Sequence, residues 1–529
     1  MNILLILVFS PILFGILFYV FKLTKPWVIV SSQLFIFVLA IMAFVDTSIK
    51  GARSFVVGSW PVGRGVGIYI DDLSSSIMLL TAFLFLLLLI HEWNHFEKKI
   101  AYIFLLFSLE GLLYALFLSY DLFNIFALME VSTVLVTILI IYKKKANSYY
   151  DGLIYLLVNI VGMSFFLMGV GYVYRTYGVY DLSLLSEVVH TIPESTSSVI
   201  MYGLLFTGIT LKIGAVPVFT WLPRAHGSES APSIVSAILS GIYINLGFIY
   251  FIRFQDIFSF MFDTRILFLI IGILTALVGG ILALVQDDIK KMLGFSTVSQ
   301  IGFILVGLNV GFAGSYFGGL YHILSHSIFK ALLFLVAGNL VEIYETRKIS
   351  EIKGVFKSYP IMGICTVFGI LGITGAPFFN GSIGKYLISI GIDALWFEMI
   401  MYTLNFLTIL YLSKFASILF GSGEKAKMSL SKNIVFVVLG TTCFVGGILA
   451  PVLMEVFFKF NLEINMASYL AKAITYIISV IIGYYLYKKV LYKSKLIRLV
   501  RSLELPFNGI VSMVFVLFII IVGYINLFQ

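Results

Sequence analysis

The sequence predicts an all-α polytopic membrane protein of fourteen to sixteen transmembrane helices, and three observations carry that expectation. Hydrophobic residues make up 60% of the 529-residue chain and charged residues only 12%, about half the share found in soluble domains. Apolar stretches near 20 residues, the length that crosses a ~30 Å hydrocarbon core, recur from end to end. The basic residues between them alternate by loop, as the positive-inside rule requires. Mean hydropathy is +1.07, and no polar segment is long enough for a soluble domain.

Taken in order, apolar segments near 3–21, 27–45 and 74–91 form an N-terminal piece, residues 1–99. The opening Met1-Asn-Ile-Leu-Leu-Ile lacks a basic n-region and a small-residue cleavage site, so it reads as a span and not a signal peptide. Segments near 100–119, 122–142, 153–174, 199–220 and 231–252 make a first five-helix group, residues 100–252. Those near 266–285, 293–310, 314–341, 361–391 and 396–420 make a second group, residues 266–420. Segments near 433–454, 467–487 and 508–528 close the chain over 421–529. The lengths of 314–341 and 361–391 imply tilt or interruption. An odd number of spans per group inverts the second copy relative to the first, the arrangement of an inverted-repeat transporter.

The net charge of +9 does not indicate nucleic acid, because its distribution follows the loops. Of 35 Lys and Arg, 23 fall in odd-numbered loops and 7 in even-numbered ones. This places the odd loops in the cytoplasm and both termini outside a cell inner (cytoplasmic) membrane. The run at 488–501 follows the same orientation rule. Cys365 and Cys443 lie in apolar runs without metal-ligand spacing and read as small core residues.

Six charges fall inside predicted spans: Glu110, Glu130, Lys212, Lys330, Lys385 and Lys414. At ~3 kcal/mol each, leaving them unpaired would cost on the order of 18 kcal/mol, more than a typical domain's whole stability. They must pair, line water or stay neutral. Lys212 is expected about ten residues from either end of its span, out of reach of the interface. Pro217 follows it and cannot continue a helical ladder. Lys385 likewise follows a break, Gly372-Ile-Thr-Gly-Ala-Pro377. Glu130 and a lysine ~6 Å away attract by roughly 3 kcal/mol at an effective dielectric near 20. Making and breaking such a pair is enough to load and release a proton. His322, His326 and Lys330 recur at i, i+4 and i+8, one stripe of a helix, with Ser325 and Ser327 expected to hold water beside them. With no carboxylate on the stripe and no thiolate near it, a proton path is favoured over a metal site. Glu110 is expected to extend a carboxylate path or pair with a lysine, Lys414 to end the second group's path, and Lys472 to anchor a span end.

These segments resemble the antiporter-like subunits shared by respiratory complex I, Mrp-type cation/proton antiporters and membrane-bound hydrogenases. The resemblance covers roughly 100–420. It rests on Asp121-Leu-Phe-Asn…Glu130, Leu211-Lys212…Trp221-Leu-Pro223…His226, Gln286-Asp-Asp-Ile-Lys-Lys-Met-Leu-Gly-Phe-Ser296-Thr-Val-Ser299-Gln, His322…His326-Ser-Ile-Phe-Lys330 and Gly375-Ala-Pro377…Lys385. It implies that Glu130 and Lys212 are the glutamate–lysine pair of a first half-channel. His322, His326 and Lys330 would belong to a central hydrophilic axis, and Lys385 would lie near the exit. It also implies fourteen core helices, two further C-terminal spans as an appendage, and other membrane subunits as partners. The sequence departs from the family at Asn245, where many members carry a lysine, and at Arg224, where complex I members usually carry Asp. Asn245 cannot hold a proton but can hydrogen-bond water.

The chain has no Fe–S cysteine cluster, nucleotide-binding glycine fingerprint or haem pattern. No cofactor or metal is therefore expected in it, and redox chemistry would fall to partner subunits. The resulting expectation is a subunit that moves H+ through two half-channels, driven by NADH dehydrogenase-like or hydrogenase-like partners. An Mrp-type Na+/H+ antiporter subunit, a stand-alone transporter and a non-conducting structural paralogue are the alternatives.

Overall fold

The computed structural model of the chain describes residues 2–61, 63, 65–144, 146–191, 194–227, 231–489 and 506–528. Arg64, Lys145, Lys493, Lys495, Arg498 and Arg501 of the loop-charge pattern lie outside the described residues. In chain order the elements are α1 (Asn2–Phe21), α2 (Pro26–Lys50), β1 (Arg53–Val56), β2 (Gly67–Ile70), α3 (Asp72–His91), α4 (Ile100–Leu118), α5 (Leu122–Ile140), α6 (Ala146–Tyr177), α7 (Leu182–Val188), α8 (Thr196–Ile213), α9 (Trp221–Gly227), α10 (Ser233–Ile238) and α11 (Ile244–Phe258). They continue as α12 (Arg265–Val285), α13 (Ile289–Asn309), α14 (Ala313–Tyr344), α15 (Val355–Ser358), α16 (Pro360–Thr374), α17 (Asn380–Ser389), α18 (Leu395–Ala416), α19 (Leu430–Ile448), α20 (Ala450–Phe458), α21 (Met466–Lys489) and α22 (Phe507–Phe528).

Among the described residues, fifteen helices are long and apolar enough to cross a membrane, so the all-α polytopic fold stands. The remaining expected segment, 361–391, is split into α16 and α17. Its break is local chemistry. Gly375 takes the left-handed conformation (φ 76°), and the N–H groups of Gly375 and Ala376 bond back to Gly372 and Leu371 carbonyls, closing the helix as glycine C-caps do. Pro377 then has no N–H to resume the ladder.

Of the two alternatives for 314–341, the unbroken one holds: α14 is one helix of 32 residues, about 48 Å at 1.5 Å per residue. Two expectations need correction. The span expected at 199–220 ends at Ile213, because Gly214 turns left-handed (φ 79°) before Pro217. Lys212 therefore lies in the last turn of α8 and not at mid-span. The stretch expected as a plain loop after α2 contains a short antiparallel pair, β1 on β2, with Arg53 opposite Ile70 and Val56 opposite Gly67. Four-residue strands are too short for alternation to stand out from the apolar background.

The chain forms two compact units. Unit 1 comprises Met1–Ile213, Ile242–Thr264 and Phe507–Gln529; unit 2 comprises Gly214–Gly241 and Arg265–Pro506. In unit 1, α8 packs on α6, α11 and α22, and α1 on α4. In unit 2, α12 lies along α13, and α14 packs on α13, α16, α17 and α19. Small residues set these close approaches: a Cβ on Gly302 of α13 would come within 2.2 Å of the Ala276 backbone nitrogen of α12.

The two units start comparable helices the same way. Asp121 caps α5, its carboxylate accepting from the Asn124 N–H at 2.7 Å. Asp288 caps α13, accepting from the Lys290 and Lys291 N–H groups at 2.9 Å. Asp121 also forms an isolated antiparallel bridge with Asp181, and Asp288 one with Lys348.

Candidate functional site

In unit 1 the site is built by α5, α8 and the segment entering α11. Lys212 is 3% exposed, and its Nζ donates to Thr133 Oγ1 at 2.7 Å. Thr133 is three residues beyond Glu130, so both lie on the same side of α5. The Lys212 charge acts on the Glu130 carboxylate through space, and Glu130 Oε1 is buried without a hydrogen-bond partner among the described residues. Among the described residues no ion pair closes between the two, and the Thr133 hydroxyl that accepts from Lys212 itself donates to the Met129 carbonyl at 2.8 Å. The Tyr243 ring lies 6.0 Å from Lys212 Nζ, and its hydroxyl is 3.0 Å from Ser132 Oγ. Asn245 is buried two residues beyond Tyr243.

Glu110 does not join this pair. It is fully buried on α4, and its Oε1 accepts from Gln33 Nε2 and from the Tyr114 hydroxyl, both at 2.7 Å. These partners are neutral. The lysine pairing expected for Glu110 is absent among the described residues, because α2 places Gln33 against it. Gln33 carries no sequence signal, being one polar residue in an apolar helix.

In unit 2 the stripe on α14 is fully buried: His322, His326 and Lys330 are each 0% exposed. His322 Nε2 lies 3.0 Å from Gln300 Oε1 of α13, and Gln300 Nε2 donates to the Tyr411 hydroxyl of α18 at 3.2 Å. Neither ring nitrogen of His326 has a hydrogen-bond partner among the described residues. Lys330 Nζ donates to the Leu293 carbonyl at 3.0 Å and to Ser296 Oγ. His226 of α9 lies against the Phe334 ring, within electrostatic range of Lys330 and His326. The family pattern in the sequence contains it, but nothing in its sequence context marks it as a site residue. Ser325 donates to the Asn380 carbonyl and Ser327 to the Ile323 carbonyl, both at 3.0 Å.

Lys385 reaches from α17 back to the end of α16. Its Nζ donates to the Ile373 carbonyl at 2.7 Å and to Asn405 Oδ1 at 2.9 Å, with the Phe303 ring 4.6 Å away. The break frees the last carbonyls of α16, and the lysine takes one of them. Lys414 does the same for α12, donating to the carbonyls of Leu284 and Gln286. Its geometry is that of a helix cap.

Two helix breaks each present a buried lysine, and a buried polar stripe runs along α14. A family model described as NADH:quinone oxidoreductase/Mrp antiporter, transmembrane, matches residues 119–422. The chain belongs to this family. All of the helices that carry these lysines and histidines fall inside the match. Glu110, Gln33 and the helices from α19 onward fall outside it.

Among curated proteins, the chain is 29% identical over 340 residues to a Staphylococcus saprophyticus protein named as antiporter subunit mnhD2, covering 63% of this chain and 66% of that protein. The match therefore spans just under two thirds of that relative's length. It is 28% identical over 370 residues to NADH-quinone oxidoreductase subunit M of Rickettsia felis, covering 69% of this chain and 74% of that one. Its fold is that of a chain from the membrane-bound sulfane sulfur reductase, an archaeal respiratory membrane complex, with TM-score 0.80 at 21% identity. That match covers 91% of this chain and 100% of the other.

Proposed function

We propose that this chain is the proton-translocating, antiporter-like subunit of a multisubunit membrane complex, driven by redox subunits of the NADH dehydrogenase or hydrogenase type. The observation that carries the reading is Lys212, buried at the break after α8 and acting on Glu130 without closing onto it. A carboxylate and an ammonium that attract through space without closing into an ion pair can change their charge state with a small movement, and each change moves a proton. His322, His326 and Lys330 form the central hydrophilic axis that joins the two half-channels, and Lys385 lies near the exit. Asn245 passes the proton through hydrogen-bonded water in place of a lysine relay. Glu110 and Lys414 stand off the main path, as a neutral buried cluster and a helix cap. The proton paths run across a cytoplasmic membrane with the odd loops and their lysines inside and both termini outside.

The supporting evidence is the family membership, the buried ionisable groups, which mark ion pathways in membranes, and the two lysine-bearing breaks. A second reading, an Mrp-type Na+/H+ antiporter subunit, draws on the similarity to mnhD2. Reconstitution separates these from a stand-alone transporter. In liposomes, the purified chain alone is expected to carry no proton or Na+ flux, while the whole complex does. Flux from the isolated chain would sink the subunit reading. Within the whole complex, a proton flux that needs an electron donor supports the redox reading, and one that needs only a Na+ gradient supports the antiporter.

A further inference from the structure

In unit 2 an open cleft of about 660 Å³, counting the solvent in its mouth, reaches Lys385 between α17, α18 and α21. α21 lies beyond the family match, and only 11% of its most apolar window is buried. Its few anchoring contacts are nevertheless specific. Tyr469, Lys472 and Tyr476 recur at i, i+3 and i+7, one face of a helix, and all three reach the broken segment. The Tyr469 hydroxyl accepts the N–H of Phe378, within the break, at 3.1 Å and lies 2.9 Å from Ser382 Oγ. The Tyr476 hydroxyl lies 2.8 Å from Thr374 Oγ1, the last residue of α16. Lys472 Nζ donates to Ser389 Oγ at 2.6 Å, one turn beyond Lys385 on α17. It also sits 3.6 Å from Glu398 Oε1 of α18 and 5.3 Å from the Tyr386 ring centre. Lys472, expected to anchor a span end, is instead tied across the mouth of the cleft.

We propose that α21 is a strap across the second broken helix, whose Tyr469–Lys472–Tyr476 stripe holds the break closed and controls the access of Lys385 to the aqueous side where α17 ends and α18 and α21 begin. This rests on the reading of Lys385 as a proton-path residue for its consequence, though not for its geometry. The contacts are those a gate needs. They fall on the irregular backbone itself, and they belong to a helix that can shift without dismantling the unit's core. Lys472 and Glu398 close the mouth with a pair of opposite charges, and Lys472 is the positioning residue because it joins α17, α18 and α21 at one atom.

Thiol accessibility tests the strap in the assembled complex, with Cys365 and Cys443 replaced by Ala. Met401 lines the cleft yet is only 3% exposed, so Met401→Cys reports opening. Its reaction with a membrane-impermeant maleimide added outside is expected to be slow. Adding Lys472→Met removes a charge-assisted hydrogen bond and should speed labelling about tenfold, and Lys472→Arg should restore the slow rate. Equal rates in all three backgrounds would overturn the strap, as would labelling only from the cytoplasmic side. If labelling responds as stated while Lys385→Ala leaves proton flux intact, the strap stands and the assignment of Lys385 to the proton path falls.

Discussion

Lys212 and Lys385 both sit at a helix break, yet their surroundings differ in kind. In unit 1 the lysine acts on a carboxylate of the facing helix and donates to Thr133 on that same helix. In unit 2 the lysines are held by backbone carbonyls, an amide and a serine, and the described residues of that unit include no buried carboxylate. The point on α13 that corresponds to Glu130, nine residues after the capping aspartate, is Thr297, whose hydroxyl lies 2.7 Å from Ser240 Oγ. A carbonyl's charge is fixed, whereas a carboxylate's changes with its proton. Unit 1 therefore sets a titratable carboxylate near its lysine, whereas unit 2 sets its buried lysines and histidines among neutral hydrogen-bonding groups.

The largest effect should come from the pair that only unit 1 has. Lys212→Ala is expected to lower proton flux of the assembled complex by roughly a hundredfold, the scale of losing a proton-transfer group, measured by pH-dye quenching in vesicles. A residual flux near wild type would make unit 1 no different from unit 2. Next in size is Lys385→Met, which leaves the Ile373 carbonyl and Asn405 Oδ1 without their donor. It should cost about 1–3 kcal/mol of stability as well as flux, so thermal unfolding in detergent should fall alongside activity. Loss of flux with unchanged stability would argue that carbonyl capping is incidental.

The neutral cluster at Glu110 sharpens the comparison from within unit 1. Glu110→Ala strands the Gln33 and Tyr114 donors and should destabilise by about 1–3 kcal/mol, whereas Glu110→Gln keeps an acceptor and should leave proton flux near wild type. Strong loss of flux in Glu110→Gln would put it on the path beside Glu130. The smallest effects lie outside the membrane. Burial pushes the Glu92 carboxyl up, but the His91 ring 3.7 Å away and the Lys99 ammonium at 2.8 Å outweigh it and hold it at about 2. A carboxyl held below its unfolded value stabilises the fold at neutral pH. That contribution disappears as pH falls from about 4.5 towards about 2. Glu92→Gln should flatten stability across that window, and an unchanged acid limb would contradict the pairing. The exposed Lys348–Glu351 pair of unit 2 should contribute little, as surface pairs do.

The sixteen apolar segments were legible because each repeats a strong, long-window signal. The second break was legible because Gly375 and Pro377 are direct statements about backbone conformation. The end of α8 was misplaced by several residues, since Gly214 looks like any membrane glycine until its φ is known. Of the site, the charged residues announced themselves through their cost in lipid. Their partners did not: Gln33, Thr133, Gln300 and Asn405 are ordinary polar residues whose importance comes from which helix faces which. The same holds for Tyr469 and Tyr476, which resemble interfacial tyrosines until α21 is placed against the break.

The central claim is that Glu130 is the group that takes and gives up the proton beside Lys212. Replacing it by Gln preserves shape and hydrogen bonding and removes only the titration. Proton translocation by the intact complex in sealed membrane vesicles, compared for wild type and Glu130→Gln at equal complex content, tests this directly. The account predicts that Glu130→Gln assembles normally and loses most of its proton translocation. Assembly with undiminished translocation would contradict it and leave this chain a structural member of its complex.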